Sequence, residues 1–231
     1  DFQNEYAPGN PQTGEYGVSY LNGWGPRIAD VQDQEFTIFT GEKVKLQAHP
    51  DNVEDFYNTG YTFINSVSAS GGDEKNDFRL GFSAHNQTGI IPSNDYDKYN
   101  ITFNGGHQFT KKLSARVSMS YANVKSEGRP AQGSNDVNVL IPTINSIPRT
   151  LDMKTIRENW ITEDEKAYAI DGTSSGKTNN PFWIINKNKY TDNVDRFMGS
   201  ALVEFEPIKN LKISNNAGID YYKEDRRQVW A

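Results

Sequence analysis

Three histidines, His49, His85 and His107, are the obvious candidates for metal or acid–base chemistry, but they stand far apart along the chain. Zinc sites written into a sequence bring their ligands within a few residues of one another. There is no cysteine, which excludes disulfides, thiolate metal sites and thiol nucleophiles. Asp73-Glu74 and Asp95-Tyr96-Asp97 gather the oxygen ligands a hard cation needs, yet neither follows the spacing of a calcium-binding loop. Glu163 and Asp164 have the residue types of a glycosidase pair, although adjacency fixes no separation between carboxylates, and such charges are ordinarily solvated. No glycine-rich phosphate loop precedes a helix and no Gly-x-Ser-x-Gly elbow occurs. The expectation is a chain that is not an enzyme, with no catalytic residue, no metal and no cofactor.

Recognition by aromatic side chains is better represented. All four tryptophans, Trp24, Trp160, Trp183 and Trp230, fall in segments that read as loops. A soluble sandwich would usually bury at least one in its core, so loop tryptophans point to packing within the loops, contact with a partner, or stacking on a ligand. Trp183 stands out because it follows Asn180-Pro181-Phe182 at the foot of the longest loop. Asn180, Phe182, Trp183 and Trp24 are therefore the candidate ligand- or partner-contacting residues.

Six segments that alternate apolar and polar residues must position these loops. Thr62 to Ser70 puts Phe63, Val67 and Ala69 on one face, and Phe78 to Ala84 alternates completely. Tyr99 to Phe109 keeps Tyr99, Ile101, Phe103 and Phe109 in phase despite Gly105 and Gly106. Leu113 to Tyr121 is the cleanest, with Leu113, Ala115, Val117, Met119 and Tyr121 opposite Ser114, Arg116, Ser118 and Ser120. Phe197 to Phe205 and Leu211 to Tyr221 complete the set. Compact turns follow the first, third and fifth segments: 71–76, 110–112 and 206–210. The second and fourth are followed by longer connections, one from Gly89 to Lys98 and one from Asn123 to about Arg196. In an antiparallel meander this places the short turns on one rim and the long loops on the other, as in outer-membrane barrels. Tyrosines and phenylalanines near the strand ends suit interfacial girdles, or reflect no more than the preference of aromatics for strands.

The fold class expected is all-β: an antiparallel meander forming part of a large transmembrane β-barrel with long extracellular loops. The expected division is 1–58 as an extracellular loop region with a short helical turn near 51–57, 59–125 as barrel strands with short turns, 126–191 as a long extracellular loop, and 192–231 as barrel strands and the start of the next loop. Composition agrees. Hydrophobic residues are 35% of the 231, below the roughly 45–50% of globular domains, and mean hydropathy is −0.76. No run is long and apolar enough for a membrane-spanning helix, whereas barrel strands carry a pattern that averaging erases. The net charge of −6 argues against a nucleic-acid partner, which requires a surplus of Lys and Arg.

Linked phrases in these elements resemble the SusC/RagA family of TonB-dependent outer-membrane transporters of Bacteroidota. Asn52-Val53-Glu54-Asp55-Phe56-Tyr57-Asn58-Thr59-Gly60 with Asn65-Ser66-Val67-Ser68-Ala69-Ser70-Gly71-Gly72 is similar to an early barrel strand and its first tight turn. Phe78-Arg79-Leu80-Gly81-Phe82 with Gln87-Thr88-Gly89-Ile90-Ile91-Pro92 resembles the next strand and loop. Asn179-Asn180-Pro181-Phe182-Trp183 with Asp192-Asn193-Val194-Asp195-Arg196 resembles a later loop and strand start, and Phe2-Gln3-Asn4-Glu5-Tyr6 with Trp24-Gly25-Pro26 the loop before residue 50. Residues 131–178 match no phrase of the family. The resemblance implies nutrient uptake across the cell outer membrane, a glycan or peptide substrate, a SusD-like surface lipoprotein as partner, contact with outer-membrane lipid, and energy from a TonB complex acting through a plug region that this sequence lacks. Barrels of this type have about 22 strands, so six strands read as a portion of a wall. The competing readings are a soluble β-sandwich carbohydrate-binding module and a β-rich glycoside hydrolase.

Overall fold

The computed structural model describes residues 5–8, 25–129, 144, 147–167, 170 and 180–230. Its dominant feature is a six-stranded antiparallel meander in which every strand pairs with its neighbour in sequence. The strands are β3 (Tyr61–Gly72), β4 (Asn76–Thr88), β5 (Asp95–Thr110), β6 (Leu113–Glu127), β7 (Lys189–Ile208) and β8 (Leu211–Val229). A short helix α1 (Ile28–Val31), a two-stranded hairpin of β1 (Glu35–Thr37) and β2 (Lys43–Lys45), and a 3-10 turn at Glu54–Phe56 precede the sheet. Helices α2 (Met153–Glu158) and α3 (Pro181–Lys187) lie between β6 and β7. The chain is all-β with few helices, and among the described residues no helix is long and apolar enough to cross a membrane.

The ladder outruns the alternation that announces it. β6 continues to Glu127 and β7 begins at Lys189, so the long connection is shorter at both feet than the 123–196 span read from the pattern. β8 likewise continues through Val229, leaving Trp230 just past its end. The reason is physical. Backbone pairing needs no apolar face, and beyond Tyr121 and before Phe197 both faces of these strands turn polar.

The turns are tighter than the sequence suggests. Between β3 and β4 the Asp73 carboxylate accepts the backbone N–H groups of Lys75 at 2.7 Å and Asn76 at 2.8 Å, with the Asn76 side-chain amide added. These donors hold the Asp73 carboxyl below the ordinary carboxylate range.

The hydrophobic core is not in the sheet. β3 and β8 are exposed along their whole length, and the fully buried side chains belong to the segments outside the meander. Ile28, Phe36, Ile38, Leu46, Val53 and Phe56 from before β3 pack with Ile144, Ile147, Leu151, Met153, Ile156, Ile170, Phe182 and Ile184 from the long connection. Segments expected to be two separate loop regions thus form one folded cap at the long-connection edge. Ile91, in the β4–β5 connection, packs against the same core, and the Asn58 N–H donates to the Ile90 carbonyl at 2.7 Å.

Candidate functional site

Registers between strands align residues across the sheet into rows, and the rows sort by chemistry. On one face run Gly71–Phe78–Gly105–Val117–Ala201–Ala217, then Ala69–Leu80–Phe103–Met119–Gly199–Ile219, then Val67–Phe82–Ile101–Tyr121–Phe197–Tyr221. Toward the turn edge, Leu113–Phe205–Ile213 extends the same face. These side chains are exposed in large numbers, Phe78, Leu80, Phe82, Ile101, Val117, Met119 and Ile219 among them. From Leu113 to Tyr121 is about 27 Å of strand and six strands are about 24 Å across, an area on the order of 600 Å² whose one mixed row is Asn76–His107–Ala115–Val203–Asn215. Soluble monomers rarely leave so large a predominantly apolar face in water.

The opposite face is polar. Its rows include Ser70–Arg79–Asn104–Ser118–Ser200–Gly218 and Ser68–Gly81–Thr102–Ser120–Met198–Asp220. Arginines on this face pair with nearby carboxylates: Arg116 with Asp77 through two bonds of 2.9 and 2.8 Å, and Arg196 with Asp220 at 3.0 and 2.6 Å. The Asp77–Arg116 pair spans Gly106, which lies between them in the row. A Cβ at Gly106 would sit 2.6 Å from Asp77 Oδ1 and 2.9 Å from Arg116 Nη2. Gly106→Val is accordingly expected to break the pair. Because both partners are about half exposed, solvent screening keeps the pair's share of the loss small. A double-mutant cycle with Asp77→Asn reads that coupling in urea unfolding; strict additivity would show that the two carry none.

At the long-connection edge the polar face ends in a charged hub. Asp192, 8% exposed, accepts from Arg129 at 2.7 Å and from Arg226 at 2.8 Å, and both guanidiniums lie over the Tyr190 ring. Gly128 makes this convergence possible. It adopts φ +66°, donates its N–H to the Tyr190 carbonyl at 3.0 Å, and lies so close to Ser93 that a Cβ would fall 1.7 Å from its carbonyl oxygen. Both feet of the long connection and the β4–β5 connection meet there.

The cap has its own polar centre. Asn52, fully buried, donates to the Pro148 and Leu151 carbonyls at 2.9 and 3.0 Å and accepts from the Arg149 guanidinium. The buried Arg149 has its pKa lowered by desolvation. Asn180 caps α3: its side-chain oxygen accepts from the Phe182 N–H at 2.9 Å, and its amide donates to the Ile156 carbonyl at 2.7 Å. Asn followed by Pro at the first helical position is a strong start signal, which explains why the Asn180-Pro181-Phe182-Trp183 stretch is helix rather than loop.

Of the candidate contact residues, Asn180, Phe182 and Trp183 are brought together but turned inward, at 0%, 5% and 7% exposure. Phe182 packs on Phe56, with ring centroids 5.2 Å apart, and Trp183 on the partly exposed Trp160 at 6.1 Å. Their contacts are with the cap interior, so they support its surface rather than form it. Trp24 lies outside the described residues. His85 and His107 are on different strands and opposite faces, and among the described residues no three His, Cys, Asp or Glu side chains gather as metal ligands. Asp164 is held by Lys166 and Thr162 in a local turn, which keeps its carboxyl low. The Asn52 and Asp192 hubs were not singled out from sequence, although both lie in the phrases that carry the family resemblance.

No protein-family model matches the chain, and no curated protein matches it in sequence. In fold it is similar to a chain of the RagAB peptide importer, solved in a "closed-closed" state, with a TM-score of 0.57 and 13% identity. The match covers 96% of this chain and 27% of that one. The present chain thus corresponds to about a quarter of that protein's length, and the likeness is one of fold.

Proposed function

We propose that this chain is a section of the wall and outer cap of a TonB-dependent transporter of SusC/RagA type in the cell outer membrane, importing peptide or glycan cargo. The observation that carries the reading is the two-faced sheet: one predominantly apolar face, one polar face, and neither covered by a second layer among the described residues. A soluble β-sandwich, whether binding module or glycoside hydrolase, would pack another sheet on the apolar face. In the proposed arrangement that face meets lipid. At a strand tilt of about 40° the rows from Leu113 to Tyr121 make a band roughly 20 Å tall before side-chain reach, close to the about 25 Å apolar band of outer-membrane barrels.

The polar face then lines the lumen, the short turns are periplasmic, and the cap stands outside the cell where a SusD-like lipoprotein would sit. The role is passage and partner contact rather than catalysis. Energy would enter through a TonB complex acting on a plug region outside this chain. The sequence phrases support this family, and the fold likeness to a chain of a peptide importer is consistent with it.

Spin labels placed singly from 113 to 121 in the membrane-assembled protein test the reading. Ala115, Val117 and Met119 positions should be reached by a lipid-soluble quencher, and Ser114, Arg116, Ser118 and Ser120 by a water-soluble one. Uniform exclusion of both would overturn it.

A further inference from the structure

The apolar face does not run to the end of the strands. Past the row of Tyr121 and Tyr221 the same face turns to amides and charges: Asn65–Ala84–Tyr99–Asn123–Asp195–Lys223, then Phe63–Asn86–Asp97–Lys125–Asn193–Asp225, then Tyr61–Thr88–Asp95–Glu127–Thr191–Arg227. These side chains are linked laterally. Tyr121 donates to Asp195 at 2.6 Å, Asn123 to Asp195 at 2.8 Å and Asn193 at 3.0 Å, and Asn86 to Asp97 at 2.6 Å and to the Tyr99 hydroxyl at 3.2 Å. Tyr121 and Tyr221 therefore mark the upper limit of the lipid-facing band, the Tyr121 hydroxyl meeting Asp195 of the first polar row, in which Tyr99 itself stands.

The height of this polar belt is the informative quantity. From Tyr121 to Glu127 is about 20 Å of strand, or about 15 Å along the membrane normal at a tilt near 40°. A phospholipid interface is only about 5–8 Å deep per leaflet. The belt is roughly twice that, and it lies on the outward face, directly continuous with the acyl-facing rows. Two of its carboxylates are paired within their strands, Lys125 with Glu127 at 2.6 Å and Lys223 with Asp225 at 2.8 Å, while β5 adds Asp95 and Asp97 to this face with no cation of its own. An acidic surface with many amide and carboxylate acceptors suits hydroxyl-rich headgroups better than bare phosphates. Within the belt lies a cleft of about 220 Å³ lined by Tyr61, Asn86, Asp95, Asp97, Lys125 and Glu127. Tyr61 is 55% exposed and stands beside the Asn86–Asp97 pair. An aromatic platform next to acceptor-only carboxylates is the combination that stacks on and hydrogen-bonds a sugar ring.

We propose that the outward belt above the tyrosine row, centred on the Tyr61–Asn86–Asp97 cleft, docks the sugar headgroup of an outer-leaflet glycolipid. The inference rests on the lipid-facing assignment of the apolar rows. Acyl chains below Tyr121 and Tyr221 and a saccharide above them would be one molecule held across the boundary, so the belt would select glycolipid over phospholipid as boundary lipid.

The test uses the membrane-assembled protein in nanodiscs containing phosphatidylethanolamine mixed with a lipopolysaccharide that carries a core oligosaccharide. Lipid retained after detergent extraction is counted by native mass spectrometry. Wild-type protein should retain the glycolipid preferentially, with Tyr61→Ala and Asp97→Ala each lowering its retention by about tenfold and leaving phospholipid unchanged. Tyr61→Phe, which keeps the ring, should retain most of it, and Lys209→Ala at the turn edge all of it. Equal retention of both lipids by wild type, or unchanged retention in Tyr61→Ala and Asp97→Ala, would overturn the proposal. The quencher pattern along 113–121 is recorded on the same samples: its alternation with no lipid preference defeats the belt alone, whereas its absence defeats the lipid-facing assignment beneath it.

Discussion

Arginine in place of Val117 should destabilise the assembled sheet by about 2–4 kcal/mol, because Val117 lies midway along the apolar rows. β6 presents Leu113, Ala115, Val117, Met119 and Tyr121 on one face, so the same strand supplies its own depth scale. Arginine at Tyr121 should cost only about 0–1 kcal/mol, since a guanidinium there reaches the Asn123 and Asp195 row. Ser118→Arg, one residue away on the polar face, should be close to neutral. Guanidinium unfolding from phospholipid vesicles measures all three. The shape of the profile matters more than any one value. A cost that peaks at Val117 and fades by Tyr121 requires a slab of hydrocarbon. An equal, large cost at every apolar position would mean a protein core, as in a sandwich, and no cost anywhere would mean a face bathed in water.

That profile reflects what could be read in advance. The sheet was legible because one apolar face on a pleated strand leaves a period of two in the sequence, and Phe78–Ala84 and Leu113–Tyr121 display it without interruption. The strand ends were not, since Asn123, Lys125, Glu127, Asn193 and Asp195 remain in the ladder after the apolar face has stopped. The cap was illegible for a different reason. Ile28, Phe36, Ile38, Leu46, Val53 and Phe56 are scattered singly among polar residues, with no period, and their partners lie roughly a hundred residues away in the long connection. Trp183 drew notice by residue type and place. Its inward orientation depends on α3 docking against Phe56 and Trp160, which no local pattern encodes.

Because the cap draws its stability from such distant contacts, its weakest point should be a polar one, and Asn52→Leu is expected to open the cap while leaving the meander paired. Leucine has the branched shape of asparagine with bulkier ends, so no cavity is opened and the change falls chiefly on hydrogen bonding. The substitution strands the Leu151 carbonyl, takes one of two donors from the Pro148 carbonyl, which keeps the Leu151 N–H at 3.0 Å, and removes the Asn52 oxygen from the buried Arg149 guanidinium. At about 1–3 kcal/mol for a buried group deprived of its partner, the loss is on the order of 1–3 kcal/mol, carried by the Leu151 carbonyl. That is enough to raise the population of an opened cap several-fold or more. Asn52→Asp should fall between the two: its carboxylate still meets Arg149, but it can donate to neither carbonyl. Limited proteolysis separates the outcomes, with cleavage between residues 147 and 167 accelerating in the order wild type, Asn52→Asp, Asn52→Leu, while fragments spanning β3–β6 persist. Cleavage at wild-type rate in Asn52→Leu would show that the apolar contacts of Phe56, Leu151 and Ile156 hold the cap unaided. Simultaneous loss of the strand fragments would show that cap and wall open as one unit, joined through Asn58 and Ile90 and through the Asp192 hub more firmly than either is held within itself.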